Sequence, residues 1–465
     1  MVEAGPAPRP ALCGAELEVP LVTGGQRPYV NLDYAASTPA MVAVARAVER
    51  FLPYYSSVHR GAGFKSQVAT AAYEGARERL LQFFGARDGD VAIFTRNTTD
   101  AVNLLAAALP AGSSVVTFAS EHHADLLPWR REGLKVTCLP VPGSPEEAVA
   151  ALAGALAETA PADLFAVTGA SNVTGELWPL EQLVRVAHGF GTRVLVDAAQ
   201  IAPHLPVDIA ALGADYLAAS GHKMYAPFGA GILIGLPDWL RRLEPFLRGG
   251  GAVDFVTTDS VRWSELPARQ EAGSPNVIGA VAMAVAADEL QRYGMDRVWD
   301  EESAMAGALR AGLAAIPGVS VYAMWPRATE RTGVISFNLE GWQHSLVAAV
   351  LSAEYGIGVR HGCFCAHPLM LHLLSVPDSG AEEIRARLAQ GDRSAVPGAV
   401  RASIGLGTSR SDVAYFLGAV AQLARRGPQI HYELDPSSGD HVPALLPEWA
   451  RARAAELVSV ASPGY

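Results

Sequence analysis

The chain has 465 residues, half of them hydrophobic, and a formal net charge of −11. Its length and apolarity suffice for a large core, most readily as two packed domains. The acidic balance argues against nucleic acid or an anionic membrane as a partner, and no apolar run approaches the roughly 20 residues that span a bilayer.

The N-terminal stretch has no apolar signal core, so residues 1–27 are expected as a flexible leader and the protein as a cytoplasmic enzyme. Residues 93–97 look like a strand end, and Thr98, Thr99 and Asp100 then open an apolar helix over 101–109. A helix N-terminus with two hydroxyls is an anion site, although Thr and Asp are also ordinary caps. The next strand, 114–118, runs into Ser120-Glu-His-His-Ala-Asp125 and places His123 at a strand's carboxyl end. An imidazole there can stack on a ring and exchange protons, or serve as a plain loop residue. Ala-rich helices are expected over 144–159 and 180–190. Residues 192–196 read as a buried parallel strand that ends in Asp197, with Gln200 three residues on. Open α/β sheets bind ligands outside the carboxyl ends of their strands; the bland role for Asp197 is a helix cap.

Lys223 follows, one of only three lysines among 36 basic residues. Lys65 and Lys135 sit in polar surroundings, whereas Lys223 closes Ser220-Gly-His-Lys223. An amine can lose its proton and attack a carbonyl, which a guanidinium cannot. The matching aldehyde is pyridoxal 5'-phosphate, and it needs an acid at its pyridine nitrogen, met here by Asp197. Gln200 can turn toward the ring's phenolic oxygen. Thr98, Thr99, Ser220 and His222 supply a phosphate site.

Helices are expected over 278–290, 301–316 and 345–355, with a strand over 334–339 and little regular structure after Arg426. The four cysteines, at 13, 138, 363 and 365, form no disulfide framework. His361, Cys363, Cys365 and His367 alternate, and in an extended strand they would lie in one row that cannot close around a metal. No metal is expected, and a reactive thiol is the better reading of Cys365 beside its rival as a small buried apolar residue.

Eleven segments in fixed order carry a resemblance to a known family. Among them are Asn31-Leu-Asp-Tyr-Ala-Ala-Ser-Thr-Pro39, Val58-His-Arg-Gly61, Phe94-Thr-Arg-Asn-Thr-Thr99 and Glu121-His-His-Ala124. They continue through Ser171-Asn-Val-Thr-Gly175, Val196-Asp-Ala-Ala-Gln200, Ser220-Gly-His-Lys223, Glu271-Ala-Gly-Ser-Pro-Asn276, Val359-Arg-His-Gly-Cys-Phe-Cys-Ala-His-Pro368 and Arg401-Ala-Ser403. Together they resemble the class V aminotransferase family of fold-type-I pyridoxal phosphate enzymes, and within it the cysteine desulfurase and selenocysteine lyase branch. The resemblance implies an α/β fold like that of aspartate aminotransferase, with a large mixed-sheet domain and a smaller α+β domain. Residues 51–299 would form the large domain, 28–50 with 300–430 the small one, and 431–465 a C-terminal extension.

It also implies roles. Lys223 would be the Schiff-base lysine, Asp197 the partner of the pyridinium and His123 the residue stacked on the ring. Thr99, Ser220 and His222 would hold the phosphate, joined by Ser274 from the second subunit of a homodimer. Asn172, Arg360 and Arg401 would bind the substrate, with Arg401 and Asn172 on its carboxylate. Cys365 would accept sulfur as a persulfide while L-cysteine becomes alanine, with Arg360 favouring the thiolate, and a sulfur-acceptor protein is a further partner. Three departures stand beside the likeness. Cys363-Phe364 replaces two histidines, Phe228 replaces a small or hydroxylated residue and is expected to narrow the pocket, and a charged spacer runs over 376–399. They keep open an aminotransferase, epimerase or C–S lyase acting on another amino acid, and a module that binds the cofactor without turnover.

Overall fold

The computed structural model of the protein describes residues 7–158, 162–443 and 449–458. At its centre is a seven-stranded sheet, in the order Val91–Thr95, Gly231–Gly235, Tyr216–Ser220, Arg193–Asp197, Leu164–Thr168, Ser114–Phe118 and Lys135–Leu139. The last five strands are mutually parallel, and only Gly231–Gly235 runs against its neighbours. Leu164–Thr168 and Tyr216–Ser220 are buried at every residue, as continuous apolar runs covered by helices on both faces must be. The parallel strands end along a single edge, where Thr168 pairs with Asp197, Asp197 with Ala218, and Ser220 closes the next strand two residues on.

Helices Phe64–Phe83 and Val277–Tyr293 cover one face of the sheet, and Thr98–Ala108 covers the other. A smaller antiparallel sheet, ordered Val319–Val321, Val334–Leu339, Ala399–Ser403 and Arg360–Gly362, carries helices Met295–Ala314, His344–Tyr355 and Arg410–Arg426 over a second core. The helices expected over 144–159, 180–190, 278–290 and 345–355 fall at Pro145–Glu158, Leu180–Gly189, Val277–Tyr293 and His344–Tyr355. The one expected over 301–316 starts earlier, at Met295.

Several expectations about the chain's edges need correcting. Residues 1–6 lie outside the described residues, but those from 7 to 27 are not a loose leader. Leu12 is buried and bridges Met41, Glu18–Pro20 pairs with Gln26–Pro28, and Arg297 holds the Ala7 carbonyl. Helix Val42–Phe51, expected in the small domain, packs Val44, Ala47, Val48 and Phe51 into or beside the large core; only Val30 and Leu32 of that stretch join the small one. The spacer over 376–399 contains a helix, Asp378–Ala389, with no buried residue. In the C-terminal extension, Tyr432–Asp435 and Asp440–Pro443 form a hairpin against helix His344–Tyr355, where Ser345 Oγ and His441 Nδ1 lie 2.8 Å apart. Residues 444–448 and 459–465 lie outside the described residues.

Candidate active site

One cavity gathers nearly every residue singled out from the sequence. Its lining includes Thr98, Thr99, Asn172, Asp197, Gln200, Ser220, His222, Lys223, Arg360, Cys365 and Arg401. Lys223 stands in a one-turn helix, Gly221–Lys223, directly after a sheet strand. The surrounding protein desolvates its amine and lowers its pKa to about 8, against the partial restoring pull of Asp197.

The anion end is built by close approach. Asn97 caps helix Thr98–Ala108, its side chain accepting the Asp100 N–H. A Cβ on Gly231 would come within 2.6 Å of the Asn97 Cα, so glycine lets this helix start sit against the strand edge. The Ser220 hydroxyl accepts the Thr98 N–H at 2.7 Å and lies 2.8 Å from Thr98 Oγ1, binding the helix start to the lysine turn. Burial, with the charge of Lys223 beside it, lowers His222 to about 4.

At the other end, Asp197 Oδ1 accepts the Ala199 N–H at 2.8 Å. Behind it lie two carboxyls that the sequence reading missed, Glu121 and Asp125, both fully buried. Burial, reinforced for each by the neighbouring carboxylates, pushes them well above the usual carboxylate range. Burial raises Asp197 as well, but the Ala199 N–H and the charge of Lys223 pull it back toward its charged form. The signal for the two missed carboxyls was the acidic pair around the histidines in Glu121-His-His-Ala-Asp125. Gln200 donates to the Ala35 carbonyl and keeps a buried Oε1 without a partner.

Arg401 and Arg360 are paired neighbours on adjacent antiparallel strands. Arg401 is buried, donates to the Asn172 carbonyl at 2.9 Å and to Asp33 at 3.3 Å, and leaves its Nε without a partner. Burial lowers it to about 10, so it remains a cation at neutral pH. The Asn172 amide donates to the Phe364 carbonyl at 2.7 Å, so the residue expected on a substrate carboxylate also anchors the cysteine loop. Phe364 and Cys365 have φ of 54° and 56°, and this left-handed bend leaves Cys365 exposed in the cavity mouth.

Three expectations fail here. His122, not His123, lines the cavity. The chain turns into a short helix at His123–Leu126, capped by His122 Nδ1 at the Ala124 N–H, while His123 turns outward and donates its N–H to the Cys365 carbonyl at 2.7 Å. Because Nδ1 accepts and burial lowers the ring to about 3, His122 is neutral with its proton on Nε2. Phe228 does not line the cavity of its own chain; its carbonyl accepts from Asn276 instead. The row from His361 to His367 does not form, because His361 faces His344 and Asp440 while His367 starts a helix. Ser274 lies away from the cavity on an exposed turn.

The set fits pyridoxal phosphate on the structure's own terms: a desolvated lysine, an unpartnered glutamine oxygen, a buried Asp near that lysine, and hydroxyls gathered at a helix start. The Aminotransferase class-V family model matches residues 30–416. A probable cysteine desulfurase of Halalkalibacterium halodurans is 37% identical over 353 residues, covering 74% of this chain and 85% of the relative. A cysteine desulfurase of Dickeya dadantii is likewise 37% identical, over 74% of this chain and 84% of its own length. Among solved structures, the apo cysteine desulfurase of Thermococcus onnurineus NA1 superposes with a TM-score of 0.74 at 32% identity, covering 85% of this chain and 95% of that one. The Escherichia coli cysteine desulfurase CsdA gives 0.72, also at 32% identity and with the same coverage.

Proposed function

The chain belongs to the class V aminotransferase family and is a pyridoxal-phosphate-dependent enzyme, and on that premise we propose that it removes sulfur from L-cysteine, leaving a persulfide on Cys365 and releasing L-alanine. The observation that carries this reading is the presence of Cys365, Lys223 and Arg401 around one cavity.

When bound, pyridoxal phosphate supplies an electrophilic carbon for an amine and an electron sink beside the substrate's α-carbon. Lys223, Thr98, Thr99, Ser220, His222, Asp197 and Gln200 would hold it. Arg401 and Arg360 receive the substrate carboxylate, with Asn172 beside them. The Lys223 amine, neutral more readily than an exposed lysine, takes the α-proton. Neutral His122, with its proton on Nε2, moves a proton at the cavity wall. The Cys365 thiolate bonds to the substrate sulfur, and the bond from that sulfur to Cβ breaks with its electrons left on carbon. That carbon gains a proton and becomes the methyl of alanine, while the sulfur remains on Cys365, so atoms and electrons balance.

An assay with L-cysteine as sole substrate should yield alanine. Pyruvate and ammonia in its place would mean C–S lysis and would remove the desulfurase reading.

We further infer a homodimer in which Ser274 reaches the second subunit's phosphate site. Its exposed turn and the exposed Phe64, Leu247 and Phe255 support this. Light scattering on the holoenzyme should give twice the chain mass, and a monomer that keeps its cofactor contradicts it. The cysteines are all unpaired, which suits the reducing cytoplasm. The exposure of Cys365 suits transfer to an acceptor protein. Among the described residues no helix is long and apolar enough to cross a membrane.

A further inference from the structure

A second thiol near the cavity is held against an imidazole pair, and the reaction above makes no use of it. Cys363 Sγ lies 2.9 Å from His367 Nε2, and His367 Nδ1 lies 3.1 Å from His123 Nε2. The two rings are nearly parallel, 7° apart, with centroids 4.9 Å apart.

The hydrogen bonds fix the tautomers. His123 Nε2 accepts the backbone N–H of His367 at 3.3 Å, so in a neutral ring that nitrogen bears no proton. His367 Nδ1 must therefore be the donor to it, which leaves His367 Nε2 as a bare lone pair facing Cys363. Desolvation holds both rings below the ordinary imidazole range, so they rest neutral. Burial raises the Cys363 thiol, so it rests as S–H and donates to His367. A nucleophile, a base within hydrogen-bond reach and a third group orienting that base form the arrangement of an activated nucleophile. Cys363 stands two residues from Cys365 on the same loop, near enough to feel its charge, and the Cys365 carbonyl accepts the His123 N–H at 2.7 Å.

We propose that Cys363 is a second sulfur carrier, which takes the outer sulfur of the Cys365 persulfide so that one subunit loads two sulfur atoms before an external acceptor is needed. The inference rests on the Cys365 reading above. In the step, Cys363 Sγ bonds to the outer sulfur as its own proton passes to His367 Nε2, with the new charge facing His123 Nε2. The bond from that sulfur to Cys365 Sγ breaks, the electron pair stays on Cys365, and the proton returns to it from His367. A Cys363 persulfide and a free Cys365 thiol result. Sulfur is transferred with no net oxidation, so no reductant is required, and Cys365 is free for a second substrate.

The test uses holoenzyme and a few equivalents of L-cysteine per subunit, acid-quenched within the first burst of turnover, without added reductant or acceptor. Alanine is counted per subunit, and the added sulfur is located by mass spectrometry on peptides cleaved after Phe364, which separates the two cysteines. Wild type is expected to give two alanines per subunit with sulfur on both cysteines. Cys363→Ser is expected to give one, with sulfur on Cys365 alone. His367→Gln, which keeps both thiols but removes the base, should make the second alanine about 10²-fold slower than in wild type. One alanine from wild type with Cys363 bare, or two sulfurs chained on Cys365, overturns the proposal and leaves the Cys365 reading intact. Alanine from Cys365→Ala equal to wild type overturns both. Should Cys363→Ser fail to fold, the wild-type peptide map decides alone.

Discussion

Lys223→Ala is expected to purify colourless and to release no measurable alanine from L-cysteine. The substitution removes the amine that holds the cofactor covalently and the base that takes the α-proton, and general-base catalysis alone contributes about 10²- to 10⁴-fold. Lys223→Arg should fail equally, because a guanidinium keeps its proton and cannot attack a carbonyl. The amine also sets a pH dependence. Burial lowers its pKa to about 8, so the neutral form grows as pH rises through that value. Cofactor uptake by the apoenzyme should therefore be faster at pH 9 than at pH 7, with its midpoint near the same value. The readout is the visible band of the bound cofactor. A cofactor adduct on Lys223→Ala that borohydride reduction fixes to the protein would place the covalent attachment elsewhere.

Arg401→Ala is expected to lower kcat/KM for L-cysteine by between about 30-fold and several thousand-fold. Truncating one partner of a buried, hydrogen-bonded charge pair costs roughly 2–5 kcal/mol, and each 1.4 kcal/mol is about tenfold. Arg401 is a buried cation that lines the cavity, held there by its bonds to the Asn172 carbonyl and Asp33. Most of the loss should fall on KM, because the carboxylate is bound in both ground and transition states. Arg360→Ala should cost less, since Arg360 is exposed and already screened by water. A smaller effect for Arg401→Ala than for Arg360→Ala would reverse these roles.

The sheet-edge residues were legible because each follows a buried apolar run. Asp197, Ser220 and Lys223 come directly after or at the end of runs with no polar residue that could end the strand earlier. The choice between His122 and His123 was not legible. Two adjacent side chains at a strand-to-helix turn point different ways, and only the bond from the Ala124 N–H to His122 Nδ1 fixes which enters the cavity. The helix Asp378–Ala389 was missed because it buries nothing, so its sequence carries no apolar stripe. The hairpin at Tyr432–Asp435 and Asp440–Pro443 was missed because its strands are short and mostly polar, and it gains its place from helix His344–Tyr355. The alternating cysteine loop misled in the same way: the pattern suggested a strand, but two consecutive left-handed residues bend it and send its thiols to different neighbours.

The most direct measurement is alanine released from L-cysteine by wild type and by Cys365→Ala, each with bound cofactor confirmed from its absorption, together with the mass of the protein after a single turnover. Wild type should give alanine with one added sulfur on the protein, and Cys365→Ala neither. Equal alanine from both proteins, with no sulfur left on wild type, would contradict the persulfide role of Cys365.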